Sequence, residues 1–227
     1  MTAPRIPGGA FRFLMLDVRQ LDITRGDRAL IRGFDLQVTP GTLVLLTGSN
    51  GSGKTSLLRA ICGLVAPAGG TISWNSEDVR QLREEYARQL IYVGHLNGLK
   101  DDLSPAENLA VLCRLAGIAS TDAQRADALQ QFGLAGREHL PVRVLSQGQR
   151  RRTALSRLAL SQSLPLWILD EPFAALDSAA TVYLQSVITQ HLAGGGMAVI
   201  STHQDTAIEA SRTLAINLGG GDAKDLS

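Results

Sequence analysis

The chain has 227 residues, a net charge of +1 and 44% hydrophobic residues. That length suits one large domain or a domain carrying a lobe, and the near-neutral charge excludes a general nucleic-acid binder. Aromatics are only 4% of the chain, too few for base-stacking platforms.

Residues 1–10 hold two prolines and two glycines and read as a loose lead-in. The segment 11–16 is too short and too interrupted by arginine for a signal-peptide core. No run approaches the ~18 apolar residues of a membrane span. If the protein works at a membrane, another chain must hold it there. Residues 14–21 and 34–38 read as strands, joined through 22–32 by a turn at Arg25-Gly26-Asp27. A second turn, Thr39-Pro40-Gly41, precedes the apolar run Leu43-Val44-Leu45-Leu46, and a helix follows from Ser52 to about Leu64. A break at Pro67 to Gly70 leads to a short strand, 71–74. A charged helical patch at 82–88 comes next, then a buried-type strand at 90–93.

Between Ser104 and Gln162 the character changes. Ser104-Pro105-Ala106-Glu107 combines an N-cap, a first-turn proline and a capping-box glutamate. Helical periodicity then runs through Leu109, Leu112 and Leu115, and again through Ala126, Leu129 and Phe132, so this insert should form a helical lobe. Strand patterns return at 166–169, 197–200 and 213–218, and 219–227 reads as a polar tail. Alternating strands and helices imply a mainly parallel sheet covered on both faces. Cys62 and Cys113 lie on apolar helical stretches and read as buried reduced thiols. They imply no disulfide framework, as suits a cytosolic chain.

The stretch Gly48-Ser49-Asn50-Gly51-Ser52-Gly53-Lys54-Thr55 is a phosphate-binding loop. Its glycines let successive backbone N–H groups turn inward onto phosphate oxygens. Lys54 brings a cation to the β- and γ-phosphates, and Thr55 offers a hydroxyl to Mg²⁺. A strand before the loop and a helix after it place the phosphates on a helix N-terminus. Only three lysines occur against nineteen arginines, and one of the three is in this loop.

Two further constellations follow. The apolar strand 166–169 runs into Asp170-Glu171, at the strand end where such sheets bind ligands. Asp170 would hold Mg²⁺ through water, and Glu171 would polarise a water against the γ-phosphate. Leu145-Ser146-Gln147-Gly148-Gln149 opens another helix, with Ser146 as its N-cap. This anion-suited terminus belongs to the helical insert and cannot easily serve its own phosphate loop. Ser201-Thr202-His203 ends a strand as Asp170 does, so His203 could donate to a γ-phosphate.

Taken in order, the phosphate loop, Leu-Ser-Gln-Gly-Gln, Leu-Asp-Glu-Pro, Ala175-Leu176-Asp177 and Ser-Thr-His resemble the ATP-binding subunits of ABC transporters, over residues 14–218. The resemblance implies an α/β fold of the ABC type of P-loop NTPase. It would have a mixed core sheet with an antiparallel β subdomain (14–103 and 163–218) and a helical subdomain (104–162), within one ATP-binding domain. It implies ATP and Mg²⁺, and two copies paired head to tail around two nucleotides. The nucleotide contacts would be Gly48 to Ser56 in one copy, with Ser146, Gly148 and Gln149 of the other facing the γ-phosphate. Asp177 would lie at the dimer seam, Glu171 would be the general base and His203 the γ-phosphate switch.

The wording of Thr47-Gly48-Ser49-Asn50-Gly51, Tyr92-Val93-Gly94-His95, Gly98-Leu99-Lys100, Glu107-Asn108-Leu109 and residues 166–173 is similar to the cytochrome c maturation ATPases. So is the short length without a C-terminal regulatory domain. That likeness implies a peripheral place on the cytoplasmic face of the bacterial inner membrane, with membrane subunits CcmB, CcmC and CcmD. Hydrolysis would be coupled to haem export and to loading or release of the haem chaperone CcmE. No nucleic acid is expected.

Three positions depart from the wider family. His95 stands where a glutamine is usual. Neutral it can exchange one hydrogen bond with nucleotide or serve a structural turn, whereas protonated it would repel Mg²⁺. Arg25 stands where an aromatic usually stacks on adenine; its guanidinium could stack on a base or lie solvated. Gln147 replaces the first glycine of the signature, while Ser146 and Gly148 remain. Residues 96–103 are either a docking surface for a membrane subunit or an ordinary loop. A soluble ABC ATPase of DNA repair or ribosomes would usually carry coiled-coil insertions or tandem units, which are absent. A phosphate-loop kinase or GTP switch would not need the 145–149 signature.

Overall fold

The computed structural model describes residues 14–219 and the backbone of residues 223–226. The lead-in at 1–10 lies outside the described residues. Two sheets carry the chain. The first is antiparallel, ordered β2-β1-β4-β5 from β1 (Leu16–Arg25), β2 (Arg28–Val38), β4 (Gly69–Trp74) and β5 (Glu77–Asp78). The second is ordered β10-β9-β3-β8-β7-β6, from β3 (Thr42–Thr47), β6 (Leu90–Val93), β7 (Leu166–Asp170), β8 (Met197–Ser201), β9 (Arg212–Asn217) and β10 (Ala223–Leu226). Strands β9 through β6 run parallel, and β10 joins β9 antiparallel.

The expected connection over 22–32 is itself strand. β1 and β2 pair through to Arg25 and Arg28, leaving only a two-residue turn. Leu21, Ile23 and Ile31 are buried while Thr24, Arg25 and Arg28 are exposed, as in an antiparallel sheet with one wet face. β4 and β5 meet at Asn75 and Ser76, with φ of 52° and 72°, the left-handed pair a tight hairpin turn needs. The helical patch at 82–88 resolves into two four-residue helices, α2 (Val79–Leu82) and α3 (Glu84–Ala87). They break at Arg83, whose φ is 42°. The segment 219–227, read as a polar tail, contains strand β10.

The period-two side chains of the parallel strands divide the interior into two cores. Val44, Leu46, Leu166, Ile168, Met197 and Val199 face helix α1 (Lys54–Ile61) and the antiparallel sheet. Leu43, Trp167, Leu169, Ala198 and Ile200 face the other helices: α4 (Pro105–Leu115), α5 (Asp122–Gln131) and α7 (Ser178–Ala193). β7 and β8 are buried at every residue, which explains their unbroken apolar sequence. On the second face the Trp167 and His191 rings stack at 3.9 Å and 5°.

Helix α6 (Gln147–Leu155) completes the helical stretch. Three of its helices open with the same device: Ser104 with Glu107, Thr121 with Gln124 and Ser146 with Gln149 form reciprocal capping boxes. Each satisfies two orphan N–H groups at a helix start, so these short helices begin where the sequence places them.

Candidate active site

The phosphate loop leaves β3 and enters α1 through Gly53, whose φ is 103°. A side chain at Gly53 would strike Ile31 at 3.2 Å, and one at Gly48 would strike the Ser52 hydroxyl at 2.9 Å. Close backbone turns and positive φ make glycine obligatory at both. Lys54 is buried, and its ammonium donates to the carbonyls of Gly48 (2.7 Å) and Ser49 (3.1 Å). Two of its three protons hold the loop closed, which leaves one for an incoming phosphate. The Ser52 hydroxyl is buried and unpartnered among the described residues, an orphan that a ligand in the loop would satisfy.

Sheet order brings the rest. β8 lies between β3 and β7, in register so that Ser201 is opposite Leu46 on one side and Asp170 on the other. The loop and Asp170 therefore meet across the end of one intervening strand. The Thr55 hydroxyl donates to Asp170 Oδ2 at 2.9 Å, and the Ser201 hydroxyl donates to Asp170 Oδ1 at 2.6 Å. Asp170 is 2% exposed, so these bonds are what make its burial tolerable. The Glu171 N–H in turn reaches the Ser201 hydroxyl at 2.9 Å and its carbonyl at 3.1 Å. The Glu171 carboxylate lies 3.5 Å from His203 Nε2.

Arg25, Asn50, Gly51, Gly53, Lys54, Thr55, Ser56 and Glu171 line one open cleft. Arg25 stands at its rim, at the end of the β1–β2 hairpin. The signature residues Ser146, Gly148 and Gln149 do not line that cleft. Ser146 is exposed at the α6 N-terminus, where its hydroxyl accepts from the Gln149 N–H and its own N–H reaches Gln149 Oε1. A side chain at Gly148 would meet the Ala175 carbonyl at 2.9 Å, so this helix start is pressed against the loop carrying Asp177. Asp177 caps α7 through the Ala180 N–H at 2.8 Å and lies 3.5 Å from Arg152. His95 is also outside the phosphate cleft. It borders a separate one with Asn97, Leu145, Gln147, Arg150 and Arg151.

Sequence reasoning missed two residues of this cluster. Ser201 was seen only as the start of a strand-end motif, yet it is the pivot between Asp170 and Glu171. Arg151 was one of three consecutive arginines, and nothing in the sequence marks it off from Arg150 and Arg152. In the fold it is 5% exposed. Burial lowers its pKa, partly countered by the Asp170 and Glu171 charges.

Residues 31–174 match the family model described as ABC transporter. The chain belongs to the ABC transporter family. This ABC ATPase is 51% identical over 191 residues to the cytochrome c biogenesis ATP-binding export protein CcmA of Nitrosomonas europaea, covering 84% of this chain and 89% of that one. It is 46% identical over 205 residues to the protein of the same name from Dechloromonas aromatica, covering 90% and 100%. An ATP-binding cassette solved as a dimer in a post-hydrolysis state, bound to ADP and Pi, superposes with a TM-score of 0.78 at 21% identity, covering 93% of this chain and 99% of that one. The fold is therefore that of an ABC ATPase, and the chain is an ATP-binding, ATP-hydrolysing component of a transport system. Among the described residues no helix is long and apolar enough to cross a membrane.

Proposed function

We propose that this ABC ATPase drives the export step of cytochrome c biogenesis, as the ATP-hydrolysing subunit of a membrane complex with CcmB, CcmC and CcmD. It would work on the cytoplasmic face of the inner membrane and serve haem delivery to, or release from, the chaperone CcmE. The names and identity of its relatives support the process, and the site supports the chemistry. The observation that carries the reading is the chain Thr55–Asp170–Ser201–Glu171, which ties the phosphate loop to a carboxylate beside it.

In this reading Gly48 to Ser56 wrap the phosphates, and Lys54 gives its remaining proton to them. Thr55 and Asp170 present a hydroxyl and a carboxylate 2.9 Å apart, hard oxygen donors of the kind Mg²⁺ takes. Bound there, Mg²⁺ would neutralise charge on the β- and γ-phosphates. Glu171 accepts the proton of the attacking water, and His203, beside it, donates to the γ-phosphate. Arg25 lines the same cleft, where its guanidinium would stack on the adenine.

The second half of the site comes from a second copy. Ser146 lies outside its own phosphate cleft, on a capped helix start that favours anions. A head-to-tail pair would bring Ser146, Gly148 and Gln149 onto the partner's γ-phosphate, with Asp177 at the seam. The helical lobe is 104–162, and the nucleotide-gripping core with its β subdomain is 14–103 and 163–218. Purification of tagged protein from membranes tests the biological reading. Recovery of CcmB and CcmC, together with loss of haem-loaded CcmE in a Lys54→Ala strain, is expected. Unchanged CcmE loading in that strain would refute it.

A further inference from the structure

The residue that carries the base is held in an unfavourable backbone state. Glu171 has φ of 48° although it is not glycine, and Pro172 follows it, which pushes a preceding residue toward extended conformations. Such a state persists only where the surroundings over-determine it. On its N–H side the hold is Ser201. On its carbonyl side it is Arg151.

The Arg151 guanidinium makes four hydrogen bonds. Nη2 donates to the carbonyls of Asp170 and Glu171, each at 2.9 Å. Nη1 donates to the Gly94 carbonyl at 2.8 Å and to Asn97 Oδ1 at 3.2 Å. All four acceptors are carbonyl or amide oxygens and none is a carboxylate. Besides the attraction between its charge and the Asp170 and Glu171 carboxylates, this buried cation spends its hydrogen bonds on peptide and amide oxygens and so fixes where the backbone of the acidic pair runs. Gly94 and Asn97 bracket His95, and Arg151 itself rides on α6, whose first turn holds the signature. One planar group thus ties together the end of β7, the loop after β6 and the signature helix.

We propose that Arg151 is a positioning residue for hydrolysis: by clamping the Glu171 carbonyl against the His95 loop, it sets the Glu171 carboxylate in line for the water. The proposal rests on Glu171 being the general base. Displacing a reacting group by about 1 Å costs on the order of 100-fold in rate. Loss of the clamp should therefore act on turnover, while nucleotide affinity, set by the phosphate loop, stays.

The test measures kcat, nucleotide Kd and melting temperature for Arg151→Met, Arg151→Lys and Asn97→Ala, each with Glu171 intact and with Glu171→Gln. Arg151→Met is expected to lower kcat by about 10- to 100-fold and to change Kd by less than about twofold. Arg151→Lys should recover part of the rate, because an ammonium can still donate to several of these oxygens. In the Glu171→Gln background the same substitutions should leave the residual rate unchanged, since the group they position is already gone. An equal fall in that background, a Kd that rises with the loss of kcat, or an unchanged kcat overturns the proposal. Should Arg151→Met fail to fold, Asn97→Ala keeps the guanidinium and its three carbonyls. It is expected to lose about two- to fivefold in kcat with the same background dependence, and no loss there overturns the proposal. If Glu171→Gln turns over like wild type, the base assignment falls and the proposal with it. A Glu171→Gln defect without an Arg151 defect sinks the proposal alone.

Discussion

Ser201→Ala removes one oxygen from the centre of the site and should cost more than its size suggests. Ser201 is fully buried, and its hydroxyl gives Asp170 Oδ1 a 2.6 Å hydrogen bond. Asp170 would keep only the Thr55 hydroxyl, at 2.9 Å. The Glu171 N–H would keep the Ser201 carbonyl at 3.1 Å, so its loss is small. A hydrogen bond to a buried charge contributes about 1.5–3 kcal/mol, and the methyl left behind is too close in volume to make a cavity. The expected destabilisation is about 2 kcal/mol, which lowers Tm by roughly 4–8 °C for a chain of this length. Thermal unfolding followed by circular dichroism reads it directly, and titration of turnover with Mg²⁺ should show a raised requirement. A Tm within about 1 °C of wild type would mean that the hydroxyl does not hold Asp170, and the ordering of the site from β8 would be wrong.

Glu171→Gln should keep ATP affinity but reduce phosphate release by at least about 100-fold, and size-exclusion chromatography should then show an ATP-dependent dimer. Lys54→Ala leaves the Gly48 and Ser49 carbonyls without their donor and should weaken nucleotide binding by about tenfold or more, read by equilibrium fluorescence. His191 is buried against Trp167 and its pKa is pushed down to about 3 by desolvation. The unfolded chain binds this proton near pH 6.5 and the folded chain does not. Stability is therefore complete above that pH and falls as the pH drops toward 3, by about 2 kcal/mol between pH 7 and 5. Denaturant melts of wild type against His191→Phe check that slope, which the substitution should flatten.

Much of this was legible because the phosphate loop, the capping boxes and the buried strands each leave a local signature. The Ser104–Glu107 capping box and the Ser146 N-cap marked two helix starts, and unbroken apolar runs gave β6, β7 and β8. What stayed hidden was fixed by pairing in space. Asp22 and Arg32 look like loop residues. Yet Asp22 Oδ1 accepts from the Gly33 N–H, and the polar residues between them lie on the wet face of a hairpin. β10 pairs with the edge that β9 offers, a partnership in space that its own polar sequence does not announce. Arg151, Arg150 and Arg152 are indistinguishable in sequence. Only the fold sends the first into the interior, the second to Asp101 and the third toward Asp177. Ser201 and Asp170 are 31 residues apart and meet solely because β7 and β8 are neighbours in register.

The central claim is that each nucleotide is held by two copies of this chain. Copies carrying Glu171→Gln and a spin label at exposed Val144, just before the signature, can be mixed with copies carrying Glu171→Gln and a label at exposed Asp27, in the hairpin turn beside Arg25, and their dipolar coupling measured. A short intermolecular distance that appears with ATP and Mg²⁺ and disappears with ADP is the predicted result. ATP bound at full occupancy without any such coupling would contradict the account.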